Sequence, residues 1–182
     1  MNRIAVLTGV ASATIVASVA SADFTSVSWT LSDNNITVAN GLQFGATESV
    51  QGPTSSFGSG SLTASTMVTT GGNSLANGLT WYRTVATASY TVSVDWAFTT
   101  NDSPDHDAGG WVLNGVFTKL AGSNGSGTVT FSVNAGDTYG FCTATTDGEF
   151  GAATTTFTNF VPAPGAVGLL AMAGIVGSRR RR

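Results

Sequence analysis

YTVSVDWAF, Tyr90 to Phe98, alternates without a break: Tyr90, Val92, Val94, Trp96 and Phe98 fall on one side, Thr91, Ser93, Asp95 and Ala97 on the other. Side chains of a strand point alternately to its two faces, so this period of two predicts a β-strand with one aromatic-rich face turned to a core. The same signature spreads outward in both directions. Downstream, Thr128 to Val133 sets Val129, Phe131 and Val133 on one face, and Gly110 to Leu120, Thr138 to Thr145 and Ala152 to Phe160 read as further strands. The clusters Ser123 to Gly127 and Asn134 to Asp137 between them are rich in Gly, Asn, Ser and Asp, the residues of turns. Upstream, Leu79 to Ala86 and Leu62 to Thr69 read as strands. Val27 to Leu31 and Ile36 to Val38 read as two short strands around a Ser32-Asp33-Asn34 turn, with Gly41 to Gly60 an irregular connection. No window in this region repeats apolar residues at the helical spacing. The expectation is an all-β fold, an antiparallel jelly-roll-like β-sandwich, with helix confined to the two termini.

Composition agrees. Threonine and serine make up about a quarter of the chain, and the branched Cβ of threonine favours the pleated sheet. Cys142 is the single cysteine, so no intrachain disulfide exists and the fold must rest on its core. As one member of an alternating strand, Cys142 is expected to be a half-buried, inert thiol.

The termini carry a different message. Arg3 precedes an apolar, small-residue stretch from Ile4 to Val19, and Ala20-Ser21-Ala22 forms an A-x-A cleavage site, which makes residues 1–22 a signal peptide and Asp23 the first mature residue. The other end, Val161 to Arg182, reads VPAPGAVGLLAMAGIVGSRRRR. Pro162 and Pro164 lack an amide proton, which disfavours continuation of a preceding sheet. The apolar run Gly165 to Gly177 would give a helix about 20 Å long, short against a hydrocarbon core of roughly 30 Å. Four terminal arginines would hold that end at the cytoplasmic face. The domain expectation is therefore residues 1–22 as signal peptide, 23–160 as the β-sandwich and 161–182 as a sorting or anchor tail.

The three-part tail resembles the PEP-CTERM sorting signal, carried by proteins exported across the inner membrane of Gram-negative bacteria and handled by an exosortase. Ala163 stands where that pattern usually has Glu. The resemblance implies a sorting signal made of Val161, Pro162, Ala163, Pro164, Gly165, Arg179, Arg180, Arg181 and Arg182. It implies an exosortase-type processing enzyme and the export machinery as partners. It also implies transient anchoring in the inner membrane, then a place on the cell surface or in an extracellular, exopolysaccharide-rich matrix. A plain tail-anchored membrane protein is the competing reading of the same residues. A second resemblance covers Tyr90 to Phe160: DWAFTTNDSPDHDAGGWVLNGVFTKL, VNAGDTYGF and TTDGEFGAATTTFTNF are similar to a domain that recurs just ahead of such tails.

Charge bounds the function further. All ten acids lie between Asp23 and Phe160, with only Arg83 and Lys119 as bases, so two positive against ten negative charges leave this region at −8. Such a surface repels phosphate backbones and excludes nucleic acid as a partner. It suits divalent cations or neutral glycans. The polar cluster Asn101, Asp102, Asp105, His106 and Asp107 is the candidate cation loop, since calcium takes six to eight oxygen ligands. With strands running up and down in order, the Asn134 to Asp137 turn emerges at the same end. The expected calcium set is then Asp102, Asp105, Asp107 and Asp137, and no other cofactor is expected. Zinc has the poorer claim, with one histidine and a distant cysteine.

An enzyme is not expected. A hydrolytic triad could use only His106, and a glycosidase needs two carboxylates facing each other across a cleft. The only glutamates, Glu48 and Glu149, fall in irregular or Gly-rich segments. Trp81 and Trp111 could stack on sugar rings or fill a core, and the core is the expectation. The reading is a non-catalytic binding or structural module, with a secreted carbohydrate-active enzyme as the alternative.

Overall fold

The structure, a computed structural model, describes residues 23–164 apart from 40, 42, 55, 56 and 74. The signal-peptide residues, Ala20 and Ala22 among them, and the tail from Gly165 through Arg179, Arg180, Arg181 and Arg182 lie outside the described residues. Asp23 opens the described chain and caps a 3-10 turn, Phe24–Ser26, by accepting the Ser26 amide at 2.9 Å.

Eleven strands follow among the described residues: β1 (Thr30–Thr37), β2 (Thr47–Pro53), β3 (Ser59–Leu62), β4 (Thr66–Thr70), β5 (Gly78–Val85), β6 (Tyr90–Thr99), β7 (Asp107–Leu113), β8 (Val116–Ala121), β9 (Gly125–Val133), β10 (Thr138–Thr145) and β11 (Thr154–Pro164). Every pairing is antiparallel. The all-β, two-sheet architecture expected from the alternation is present. One sheet, however, closes on itself: β1-β2-β8-β7-β10-β5 forms a barrel, while β3-β4-β11-β6-β9 stays open. The open sheet lies across the β5–β10–β7 wall of the barrel, so the molecule has two cores rather than one.

The barrel interior holds Ile36, Phe44, Leu79, Trp81, Val112, Phe117, Cys142 and Ala144. A six-stranded barrel has little room, and small residues make space for the large ones. A Cβ on Gly110 would sit 2.2 Å from the Phe117 ring. Between barrel and sheet lies an aromatic core in which Trp111 stacks on Phe131 at 4.1 Å and Phe24 on Phe160 at 5.0 Å. Val92 and Val94 of the opening stretch are buried there, and Phe98 is buried against Gly109 of β7. Three buried threonines join the layers: the Thr143 hydroxyl donates to the Thr69 carbonyl at 2.8 Å and sits 2.7 Å from the Thr155 hydroxyl.

β10 serves both cores. Tyr139, Phe141 and Thr143 face the open sheet, and Cys142 and Ala144 face the barrel interior, so both sides are covered. Cys142 is therefore wholly buried, not half-buried, and burial pushes its thiol well up from the ordinary range.

Several expected boundaries shift, each for a local reason. Ser32-Asp33-Asn34 runs inside β1 instead of turning, because the Asp33 carboxylate is used internally, accepting the Phe57 amide and the Thr80 hydroxyl. The Gly41 to Gly60 connection contains β2 and the first half of β3, and Leu62 to Thr69 breaks into the β3–β4 hairpin. Gly110 to Leu120 is two strands joined by Asn114-Gly115, with φ of 50° and 81°, the left-handed pair of a tight hairpin turn.

β11 crosses the expected domain boundary. Val161, Pro162, Ala163 and Pro164 continue the strand and pair with Ser93, Val92, Thr91 and Tyr90. The prolines do not end the sheet because successive residues of a strand direct their amides to opposite sides. A spacing of two places both missing donors on one edge, and beyond Thr158 β11 pairs with β6 alone. A bulge near Asn159, at φ 54°, precedes this extension.

Candidate functional site

The polar cluster of the sequence lies in the β6–β7 connection, at the end of the barrel where β10 also finishes. Strand pairing sets its geometry. Asp107 opens β7 opposite Thr145, the last residue of β10, and the ladder runs one step further, the Thr146 amide donating to the His106 carbonyl at 2.9 Å. That step brings His106 beside Asp147, with Nδ1 and Oδ2 3.1 Å apart. Asp102 reaches the same place: one ligand atom each from Asp102, His106 and Asp147 lie within 4.8 Å of one another. The Asp102 Oδ1 accepts the Ser103 amide at 2.6 Å, while its Oδ2 is buried without a hydrogen-bond partner.

Asp107 lies directly behind this group and is 2% exposed. The Thr100 hydroxyl donates to it at 2.6 Å, and Thr100 is held in turn by Asn124, whose side chain accepts its amide. Burial pushes the Asp107 carboxyl above the ordinary carboxylate range. Hydrogen bonds from Thr100 and Thr145 oppose that, and the charges of Asp102 and Asp147 add to it. Asp105 plays another part. It adopts φ 68° and its carboxylate pairs with Lys119 Nζ at 2.8 Å, while Lys119 also donates to the Phe44 carbonyl at 2.8 Å.

Asp137 stands apart from the others and corrects the expected calcium set. It precedes β10 while Asp147 follows it, and the eight residues of β10 span about 25 Å at ~3.3 Å per residue. The cause is the Asn114-Gly115 hairpin: one added reversal of the chain sends the Asn134 to Asp137 turn to the opposite end. There Asp137 accepts the Asn114 side chain at 2.8 Å and the Asn134 amide at 2.7 Å, bonds that hold its carboxyl below the ordinary range. Thus Asp102, Asp105 and Asp107 share one end, but Asp105 is engaged by Lys119 and Asp107 is sealed behind. The residue brought in is Asp147. Only the β7–β10 register places it, and its local Thr-Asp-Gly context reads as a plain turn.

The other candidates have visible structural work. Glu48 is 6% exposed and accepts the amides of Ala39 and Gly45 at 3.0 and 2.9 Å, tying down the chain around β2. Glu149 is exposed, and its amide donates to the Asp147 carboxylate. Trp81 lies in the barrel, where its indole N–H donates to Asn34 at 2.8 Å, and Trp111 packs in the aromatic core.

A second surface went unnoticed in the sequence. The outward side of the open sheet carries Ser126, Thr128, Thr130 and Ser132 on β9 and Thr91, Ser93, Asp95, Ala97 and Thr99 on β6. It continues with Thr154, Thr156 and Thr158 on β11, Thr66, Val68 and Thr70 on β4, and Ser59 and Ser61 on β3. Beyond the bulge, Val161 and Ala163 of β11 lie on the same side, opposite Ser93 and Thr91. All but Asp95, Ala97, Val68, Val161 and Ala163 are hydroxyl residues, and Asp95 is already bonded by Thr128 and Asn159. The acids cluster elsewhere, so a −8 domain turns one broad, nearly uncharged sheet face to solvent. Alternation in each strand announces one face; only the register of five strands reveals that their polar faces are the same kind.

Among the described residues no helix is long and apolar enough to cross a membrane. No protein-family model matches this chain, and no curated protein matches it.

Proposed function

We propose that this chain is an exported cell-surface or extracellular-matrix protein, sorted through its C-terminal tail, whose β domain is a non-catalytic module that binds or scaffolds neutral polysaccharide. The observation that carries the binding half is the five-stranded hydroxyl face. Threonine and serine offer donors and acceptors at the repeat of the sheet, about 4.8 Å between strands and ~6.7 Å between alternate residues, with no net field to select a charged polymer. A neutral glycan presents hydroxyls at comparable intervals, and the single carboxylate on the face, Asp95, is already bonded by Thr128 and Asn159. The export half is supported by the A-x-A site at Ala20 to Ala22 and by the tail from Val161 to Arg182.

Two experiments test the two halves separately. Fractionation with sequencing of the mature termini is expected to find Asp23 as the first residue and the Arg179 to Arg182 cluster absent from the extracellular form. Full-length chain held in the membrane would favour a simple tail anchor, and intact chain in the cytoplasm would overturn export. For the domain, retention on a panel of immobilised neutral and acidic polysaccharides is expected for neutral chains, and to fall at least tenfold in Ser126→Asp/Thr130→Asp. Both positions are exposed on an edge strand, so the fold should tolerate them. Equal retention of the double variant would remove the sheet face from the proposal, and turnover of any polysaccharide would favour the enzyme alternative.

A further inference from the structure

We propose that Asp102, His106 and Asp147 form a binding site for a divalent transition-metal ion of the zinc type. Three observations converge. Three side chains of metal-ligating chemistry, one imidazole and two carboxylates, place donor atoms within 4.8 Å of one another. Asp102 Oδ2 is buried and has no hydrogen-bond partner, and its sister oxygen is already taken by the Ser103 amide. A buried carboxylate oxygen left without a partner costs free energy, and a bound cation offsets that cost directly. Negative charge is also concentrated there: Asp102 and Asp147 both act on the buried Asp107, His106 is the one group of basic chemistry in contact with them among the described residues, and Lys119 is engaged by Asp105 and the Phe44 carbonyl.

The donor set selects the metal. Calcium wants six to eight oxygens, and this site offers two carboxylates and a nitrogen. Imidazole with carboxylate suits zinc and its neighbours, and three protein donors with water in the fourth position is a familiar zinc coordination. At zinc–donor lengths of 2.0–2.1 Å, tetrahedral donors sit about 3.3 Å apart; His106 Nδ1 and Asp147 Oδ2 are already 3.1 Å apart, and the widest separation in the group must close by at most about 1.5 Å. The side chains have room to do so, since His106 is 22% and Asp147 14% exposed. Their backbones are fixed by the β7–β10 ladder and by Thr146, whose amide and hydroxyl both donate to the His106 carbonyl at 2.9 and 3.1 Å. This site differs from an oxygen-only calcium loop, and it makes zinc, which has little support in the sequence alone, the better fit.

The chain has a single histidine, which gives the test an unambiguous reporter. The mature protein, stripped with chelator, is titrated with zinc, manganese and calcium chlorides by calorimetry, with metal content measured after dialysis and the His106 imidazole followed by NMR. The expected result is one zinc per chain at micromolar or tighter affinity, a shift of the His106 ring resonances on zinc addition, and no calcium binding in that range. His106→Gln and Asp147→Asn should each weaken zinc at least tenfold, while Asp105→Asn leaves it unchanged. Zinc that leaves the His106 resonances unmoved, affinity that survives His106→Gln, or calcium bound as tightly would overturn the proposal. The NMR arm uses the unmutated protein, so a variant that fails to fold does not blunt the test.

Discussion

β10 has aspartates near both ends, and the two ends treat them oppositely. At the start, Asp137 is half-buried, accepts two hydrogen bonds from the Asn114 side chain and the Asn134 amide, and has its carboxyl held below the ordinary range. At the finish, Asp102, Asp107 and Asp147 crowd together, one oxygen of Asp102 has no partner, and burial lifts the Asp107 carboxyl above the ordinary range. Residue type is the same and chain distance is short. The difference lies in what each carboxylate touches: Asp137 completes a turn, whereas the cluster at the far end holds acceptor capacity that the chain does not consume. A turn acid stabilises the fold; an acid held in reserve costs stability until something binds.

The largest effect expected from this contrast is at Asp107. Asp107→Ala removes a buried acceptor and strands the Thr100 hydroxyl, so denaturant titration should show a loss of about 2–3 kcal/mol. Asp107→Asn keeps an acceptor for Thr100 while removing charge from a crowded site, and is expected to remain within about 0.5 kcal/mol of the parent in chelator. A loss in Asp107→Asn as large as in Asp107→Ala would mean that the charge itself is needed, which breaks the contrast.

Next in size is Asn114→Ala at the opposite end. Asn114 sits at φ 50°, donates to Asp137 at 2.8 Å and accepts the Thr138 amide at 3.0 Å. Two hydrogen bonds and a left-handed backbone position together predict a loss of about 1–2 kcal/mol by denaturant titration. A neutral result would show that Gly115 alone sets the hairpin.

That hairpin also shows how far the sequence could be read. The Tyr90 to Phe98 alternation, the β10 boundaries and the all-β class were legible because period-two burial is a local signal. Asn114-Gly115 is the dipeptide of a tight hairpin, but the apolar run on both sides hides it, and Gly110 to Leu120 reads as one strand. Missing one reversal moved Asp137 to the wrong end. Barrel closure and the position of Asp147 rest on pairings between strands far apart in the chain, which no local window contains. Pro162 and Pro164 read as strand breakers because a single residue's chemistry was weighed without the edge it faces.

A smaller effect, of opposite sign, is expected at Asp102. Asp102→Asn keeps an oxygen for the Ser103 amide, removes one of three crowded charges and supplies a donor toward Asp147. In chelator the variant should therefore gain about 0.5–1 kcal/mol in denaturant titration, where most substitutions lose. Excess zinc should reverse the order by stabilising the parent alone. A variant less stable than the parent in chelator would show that Asp102 already contributes to the fold, and the two ends of β10 would no longer differ in kind.

The smallest effect is a pH dependence at Asp137. Its carboxyl is held below the ordinary range chiefly by the Asn114 side chain and then by the Asn134 amide, both of which bind the charged form better. A lowered folded-state value means that the unfolded chain takes up a proton first as pH falls. The stabilisation is thus fully present above the ordinary carboxylate range and disappears as pH drops through the folded value. Asp137→Asn should consequently be slightly less stable than the parent near neutral pH, with the gap shrinking as the pH falls below the ordinary carboxylate range toward the folded value. The gap should also narrow with salt, because the carboxylate is only partly buried and its charge is screened. Denaturant titrations of both proteins across that pH range measure it. A gap that persists in acid would mean that Asn at this position disturbs the turn geometry itself, and that Asp137 acts through shape and not charge.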